Sequence, residues 1–154
     1  MKKKILVVDD EPCVLLSIQN GFEDYNDEYD VTGVSSGKEC FDLLAKEYLY
    51  DIILLDIMMP EMSGWEIHKK IKENKAWKNI PIIFLTARTD RVAKNAGGFL
   101  AEDYIEKPFE ISDVKSRIEK VLTSKHHGEE VYNKNEKNSI TEGYTNEKEN
   151  FNRR

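Results

Sequence analysis

"YDIILLDIMMPEMSGWE", residues 50–66, decides how this chain folds. Five of the six residues from Ile52 to Ile57 are aliphatic, without polar alternation, and read as a strand covered on both faces. The exception is Asp56. A carboxylate at the end of such a strand costs free energy unless it is paired or used. Pro60 shapes the loop that follows. Gly64 supplies a positive φ or a close backbone approach there, and Ser63 stands where a helix start belongs.

Working outward, short aliphatic runs recur as "KILVV" (4–8), "YDVTGV" (29–34), "IPIIFL" (80–85) and "DYIE" (103–106). Between the runs lie segments with helical spacing. Their apolar faces are Val14, Leu15, Ile18 and Phe22; Phe41, Leu44 and Ala45; Trp65, Ile67, His68 and Ile71; and Ile111, Val114, Ile118 and Val121. The segment "TDRVAKNAGG" (89–98) is a short, weakly apolar fourth helix. Pro12 and Ser36 open the first two helices, and Glu110 or Ser112 opens the last. Strands and helices in strict alternation predict an α/β fold, a doubly wound five-stranded parallel sheet with helices on both faces. In the 2-1-3-4-5 order of such sheets, ligands bind outside the carboxyl ends of strands 1 and 3.

At 154 residues the chain suits one domain, assigned to 1–123. From Ser124 to Arg154 the apolar residues follow no period, and the composition predicts a disordered polar tail. Six Lys/Arg and six Glu cancel in that tail, so the net charge of −6 falls on the domain. An acidic domain without a dense basic patch is a poor nucleic-acid binder. No apolar run reaches the roughly 18–20 residues that span a bilayer. "MKKKILVV" is interrupted by Asp9 and Asp10 before it could act as a signal peptide. These features predict a cytoplasmic protein. Cys13 and Cys40 are too few and too separated for a metal cage, and both read as buried thiols.

The polar residues gather at one edge. The first run ends in Asp9-Asp10, the third in Asp56, the fourth in Thr86 and the fifth in Lys107-Pro108. Carboxylates sharing a pocket repel and raise each other's pKa, and a hard divalent cation such as Mg²⁺ relieves that repulsion. With a cation present, Asp56 can attack a phosphoryl group and form an acyl phosphate. The Lys107 ammonium would balance the transferring charge, and the Thr86 hydroxyl would donate to a phosphoryl oxygen.

"ILVVDDEP" (5–12), "DIILLDIMMPEMSGWE" (51–66), "PIIFLTAR" (81–88) and "DYIEKPFE" (103–110) together resemble the receiver domain of two-component response regulators, over about residues 3–122. The resemblance implies a flavodoxin-like fold. It implies that Asp56 takes phosphate from the phosphohistidine of a sensor histidine kinase, so that the protein is a switch and not a metabolic enzyme. Asp10 would bind Mg²⁺ directly, with Asp9 in support, Asp56 as a further ligand and the Met58 backbone carbonyl as a third. Thr86 and Tyr104 match the family's switch pair, Lys107 its phosphate-pairing lysine, and Lys107–Pro108 its cis peptide. The surface built from the fourth helix, fifth strand and fifth helix would then engage a downstream protein or a second phosphorylated copy.

Three features depart from the family pattern. Thr86 to Lys107 is one residue short, which places an abbreviation in the fourth helix. The tail holds no recognisable output domain. Met58 and Arg88, at the positions that tune hydrolysis, are poor at orienting an attacking water, so the phosphorylated state should be long-lived.

Blander readings stand beside these. Asp9 can cap the first helix, Thr86 can cap a turn, Tyr104 can be a half-buried strand aromatic, and Lys107 a solvated lysine. His68, His126 and His127 read as surface residues, and Trp65 and Trp77 as packing. One competing function is a Mg²⁺-dependent phosphatase forming an aspartyl phosphate, but Met58 stands where its acid should be. A flavin or nucleotide module would need a Gly- or Ser-rich turn in place of "DDEPC". A receiver remnant of a transcription regulator lacking its output domain is a third.

Overall fold

The computed structural model describes residues 1–46, 49–87 and 101–124. Arg88, the fourth-helix segment 89–98, His126, His127 and the polar stretch beyond Ser124 lie outside them. The chain divides into two units, Met1–Val121 and Leu122–Arg154, and only residues 122–124 of the second are described.

The first unit carries β1 (Lys3–Val8), α1 (Pro12–Gly21), a short 3₁₀ turn (Glu23–Tyr25), β2 (Tyr29–Val34), α2 (Gly37–Ala45), β3 (Ile52–Asp56), α3 (Gly64–Glu73), β4 (Ile82–Thr86) and β5 (Asp103–Glu106). A last helix runs over 111–124. All strand pairs are parallel, and the sheet order is β2-β1-β3-β4-β5. This is the doubly wound arrangement expected from the aliphatic runs.

Every residue of β3 and β4 is buried. Side chains alternate between the two faces of a strand. Leu6, Val8, Ile53, Leu55, Ile82 and Phe84 meet Cys40 and Leu44 of α2 and Ile67 and Ile71 of α3 in one core. The intervening positions Ile5, Val7, Leu54, Ile83 and Leu85 are fully buried on the opposite face. Ile18 of α1 and Val114 and Ile118 of the last helix are equally buried. A Cβ on Gly21 would meet Ile111 Cγ1 at 2.4 Å, so α1 and the last helix abut at that glycine.

The helix starts follow the local chemistry. Pro12 opens α1, where its missing N–H is no loss. The Ser36 hydroxyl accepts from Glu39 N, and Ser63 with Glu66 forms a full capping box at α3. Asp113 N and Val114 N both donate to the Glu110 carbonyl, so Glu110 and not Ser112 opens the last helix.

Two expectations are corrected. Cys13 is exposed, because position 13 falls on the outer side of α1, whereas Cys40 is buried and burial pushes its thiol up to about 12. His68 is not a surface residue. It lies on the inner face of α3 with its ring 5.4 Å from that of Phe84. Among the described residues no helix is long and apolar enough to cross a membrane.

Candidate functional site

Strand register builds the site. Val8 is the partner of Leu55 across β1 and β3, so the next residues, Asp9 and Asp56, emerge side by side. Asp9 N donates to the Val34 carbonyl at 3.1 Å, which extends the sheet by one residue and fixes its side chain at the rim. On the far side of β4, Lys107 N donates to the Thr86 carbonyl at 2.7 Å, and the Lys107–Pro108 peptide is cis.

The loop after Asp56 is held close. Gly64 N donates to the Ile57 carbonyl at 2.8 Å, and a Cβ on Gly64 would lie 2.2 Å from the Asp56 carbonyl oxygen. Close approach is therefore the reason for glycine, since no glycine has a positive φ among the described residues. The positive φ of this loop belongs to Glu61, at 65°, where Met62 N turns back to the Pro60 carbonyl. A non-glycine residue there is locally strained.

Three carboxylates surround one ammonium. Lys107 Nζ stands 2.6 Å from Asp9 Oδ2, 3.2 Å from Glu11 Oε1 and 3.4 Å from Asp56 Oδ1. Asp9 is fully buried and Asp56 is 4% exposed. Burial raises the Asp9 carboxyl above its usual range, against the pull of Lys107 and of the Glu11 N–H. Burial, then the Asp9 charge, push Asp56 up to about 7, opposed by Lys107. For Lys107, burial alone would lower the ammonium, but Asp9, Asp56 and Glu11 outweigh it and raise it.

The donor set suits a hard cation. One oxygen from each of Asp9, Glu11 and Asp56 lies within 4.8 Å of the other two. The Asp9 Oδ2 atom is buried, and among the described residues its close polar contact is the Lys107 ammonium at 2.6 Å. Oxygen donors with spare lone pairs are what Mg²⁺ or Ca²⁺ takes.

Of the residues singled out by sequence, Asp9, Asp56 and Lys107 come together as expected. Asp10 is half-buried and touches Asp56, whose carboxyl it helps raise, but it stands outside the group of three. Asp9 does not cap α1, whose N-cap is Glu11 without a side-chain cap hydrogen bond; Asp9 Oδ1 instead accepts from Glu11 N at 2.9 Å, ahead of the helix. Thr86 is buried at the end of β4, its hydroxyl 3.5 Å from the Ile105 carbonyl. Tyr104 is half-buried and stacks on Phe84 at 5.6 Å, and burial raises its phenol. The Met58 side chain is 68% exposed, with no acid at that position.

Glu11 was missed. The signal was present in "DDEP": a third acid directly before Pro12, at the first turn beyond the rim of β1. Glu11, Cys13, Val14, Ser17, Ala87, Lys107, Pro108 and Phe109 line a cleft of about 440 Å³ opening beside the ammonium.

A family model described as the response regulator receiver domain matches residues 5–119. Response regulator SaeR of Staphylococcus aureus (strain USA300) is 40% identical over 132 residues, covering 82% of this chain and 54% of that protein. A Vibrio cholerae protein named "Probable cyclic di-GMP phosphodiesterase" is 38% identical over 86% of this chain and 29% of its own length. The chain thus spans about half, or less, of these curated relatives. Among solved structures, a response regulator receiver domain protein from Clostridium thermocellum superimposes with a TM-score of 0.70, at 29% identity over 80% of this chain and 97% of that one. The chemotaxis response regulator CheY4 of Vibrio cholerae gives 0.69, at 27% identity over 79% and 99%.

Proposed function

This chain belongs to the response regulator receiver family, and from that premise we propose that it is a phosphorylation-dependent signalling switch whose phosphoryl acceptor is Asp56. The donor is the phosphohistidine of a sensor histidine kinase. The observation that carries the reading is the cradle itself, a buried carboxylate at the end of β3 with an ammonium 3.4 Å away and the Asp9 and Glu11 carboxylates beside it; burial and the Asp9 charge raise its pKa. A group so perturbed, at a strand end, is a candidate for chemistry.

Mg²⁺ is the cation of this reading: Asp9, Asp10, Asp56 and the Met58 carbonyl would hold it, and when bound it would neutralise the carboxylates and screen the incoming phosphoryl oxygens. Asp56 supplies the nucleophilic oxygen. Lys107 pairs with the phosphoryl charge, and the Thr86 hydroxyl moves to donate to a phosphoryl oxygen. Tyr104 turns inward behind Thr86, and the surface around β5 and the last helix changes for a downstream protein. The phosphoryl group biases two pre-existing arrangements, so its effect is bounded by its differential contacts with each.

The domain assists its own phosphotransfer and is not a metabolic enzyme. Residues 1–123 are the receiver, and 124–154 form a polar tail. With Met58 and Arg88 as the tuning residues, the aspartyl phosphate is long-lived.

Beryllofluoride with Mg²⁺ mimics the acyl phosphate and tests the switch directly. Amide signals of Asp56, Thr86 and Tyr104 are expected to shift together in the full chain. A spectrum unchanged at Thr86 and Tyr104 would contradict the reading.

A further inference from the structure

The three carboxylates on Lys107 are not equivalent. Asp9 and Asp56 are buried, whereas the Glu11 side chain is 56% exposed at the rim. Glu11 is nonetheless well placed. Its N–H is bound by Asp9 Oδ1 at 2.9 Å, and Pro12 fixes the chain immediately after it. It occupies the N-cap position of α1, yet its side chain makes no capping hydrogen bond. The carboxylate reaches the ammonium instead, donor to acceptor 3.2 Å.

A divalent cation drawn to Asp9 and Asp56 competes with an ammonium that shares both. Lys107 would then lose two partners at the moment it is needed beside the phosphoryl group. Glu11, on the outer side, keeps its hold.

We propose that Glu11 is a positioning residue, the tether that keeps the Lys107 ammonium at the rim of the cradle while Asp9 and Asp56 serve the cation. The proposal rests on the reading of Asp56 as phosphoryl acceptor. Glu11 touches neither bond made nor bond broken. It acts through Lys107.

The test uses the full chain, Mg²⁺ alone as the first probe, and NMR of the lysine ammonium groups, which are observed while an ion pair slows their exchange. In the wild type, the Lys107 ammonium signal persists on saturation with Mg²⁺. In Glu11→Gln it is lost, and the Mg²⁺ dissociation constant, measured alongside, separates a tether of Lys107 from a carboxylate that serves the cation itself. With acetyl phosphate added, Glu11→Gln is phosphorylated up to about fivefold more slowly, the ceiling for an exposed ion pair. Glu11→Asp, which retains the charge on a shorter arm, falls between.

A Lys107 signal in Mg²⁺-saturated Glu11→Gln equal to the wild type overturns the tether. So does a loss of Mg²⁺ affinity of about tenfold or more, the size expected when a group in a cation's own surroundings is removed. Backbone amide spectra of both variants matching the wild type outside residues 9–13 establish that each is folded. Wild type that neither binds Mg²⁺ nor gains a phosphoryl group overturns the reading of Asp56, a different failure from that of Glu11.

Discussion

The Lys107 ammonium lies 3.4 Å from Asp56 Oδ1, linking the end of β5 to the end of β3 across β4. The Lys107 side chain is 15% exposed, so this contact and the 2.6 Å contact with Asp9 are largely withdrawn from solvent. Removing one partner of a buried pair leaves an uncompensated charge.

Lys107→Ala should therefore destabilise the metal-free protein by about 3 kcal/mol at pH 8. Mg²⁺ should recover more stability in the variant than in the wild type, because it supplies the missing positive charge. Urea denaturation in EDTA and in Mg²⁺ measures both. Equal stability of the two proteins in EDTA would contradict the account.

The raised Asp56 carboxyl makes stability depend on pH in a defined direction. Its folded pKa, about 7, exceeds the ordinary value of 3.8, so between them the folded state binds more protons than the unfolded. That contribution is fully present below the unfolded value and is lost as pH rises through about 7. The metal-free wild type should thus lose stability relative to Asp56→Asn as pH rises from 5 to 8, with most of the change complete by about pH 7. Thermal melts of the pair in EDTA check this. A difference independent of pH would contradict it.

Gly64→Ala places a methyl group against the Asp56 carbonyl, 2.2 Å away before any relaxation. The atom it meets is backbone, which cannot rotate aside. A loss of about 2 kcal/mol is expected, in the range for overpacking. Phosphorylation by acetyl phosphate should slow as well, because the displaced segment carries the acceptor. A variant as stable and as readily phosphorylated as the wild type would show that the close approach is without consequence.

Met58 is exposed two residues beyond Asp56 and offers no group to orient a water. Met58→Asn should shorten the lifetime of the phosphorylated protein, followed by intact mass after removal of the donor. A wild-type lifetime of seconds would defeat the expectation of a persistent phosphoprotein.

The sheet was legible because "KILVV", "DIILL" and "IPIIFL" have no polar alternation, which only two-sided burial permits. The rim was legible because polar residues end those runs. Strand register then brings Asp9 beside Asp56, as reasoned from sheet order alone. His68 was misread because an imidazole was weighed by residue type, when its place among Ile67 and Ile71 already put it on the inner face of α3. Cys13 was misread in the opposite sense, since the helical period puts position 13 outward from Val14 and Ile18. Glu11 escaped because "DDEP" marks it only as a further acid at the rim, whereas its contact with Lys107 depends on the direction a side chain takes from a helix end.

The central claim is that residue 56 accepts a phosphoryl group within this cradle. The most direct measurement is intact mass of the full chain after acetyl phosphate and Mg²⁺, for wild type and Asp56→Asn side by side. The account predicts a gain of one phosphoryl group in the wild type and none in the variant. No gain in the wild type, or an equal gain in both, would contradict it.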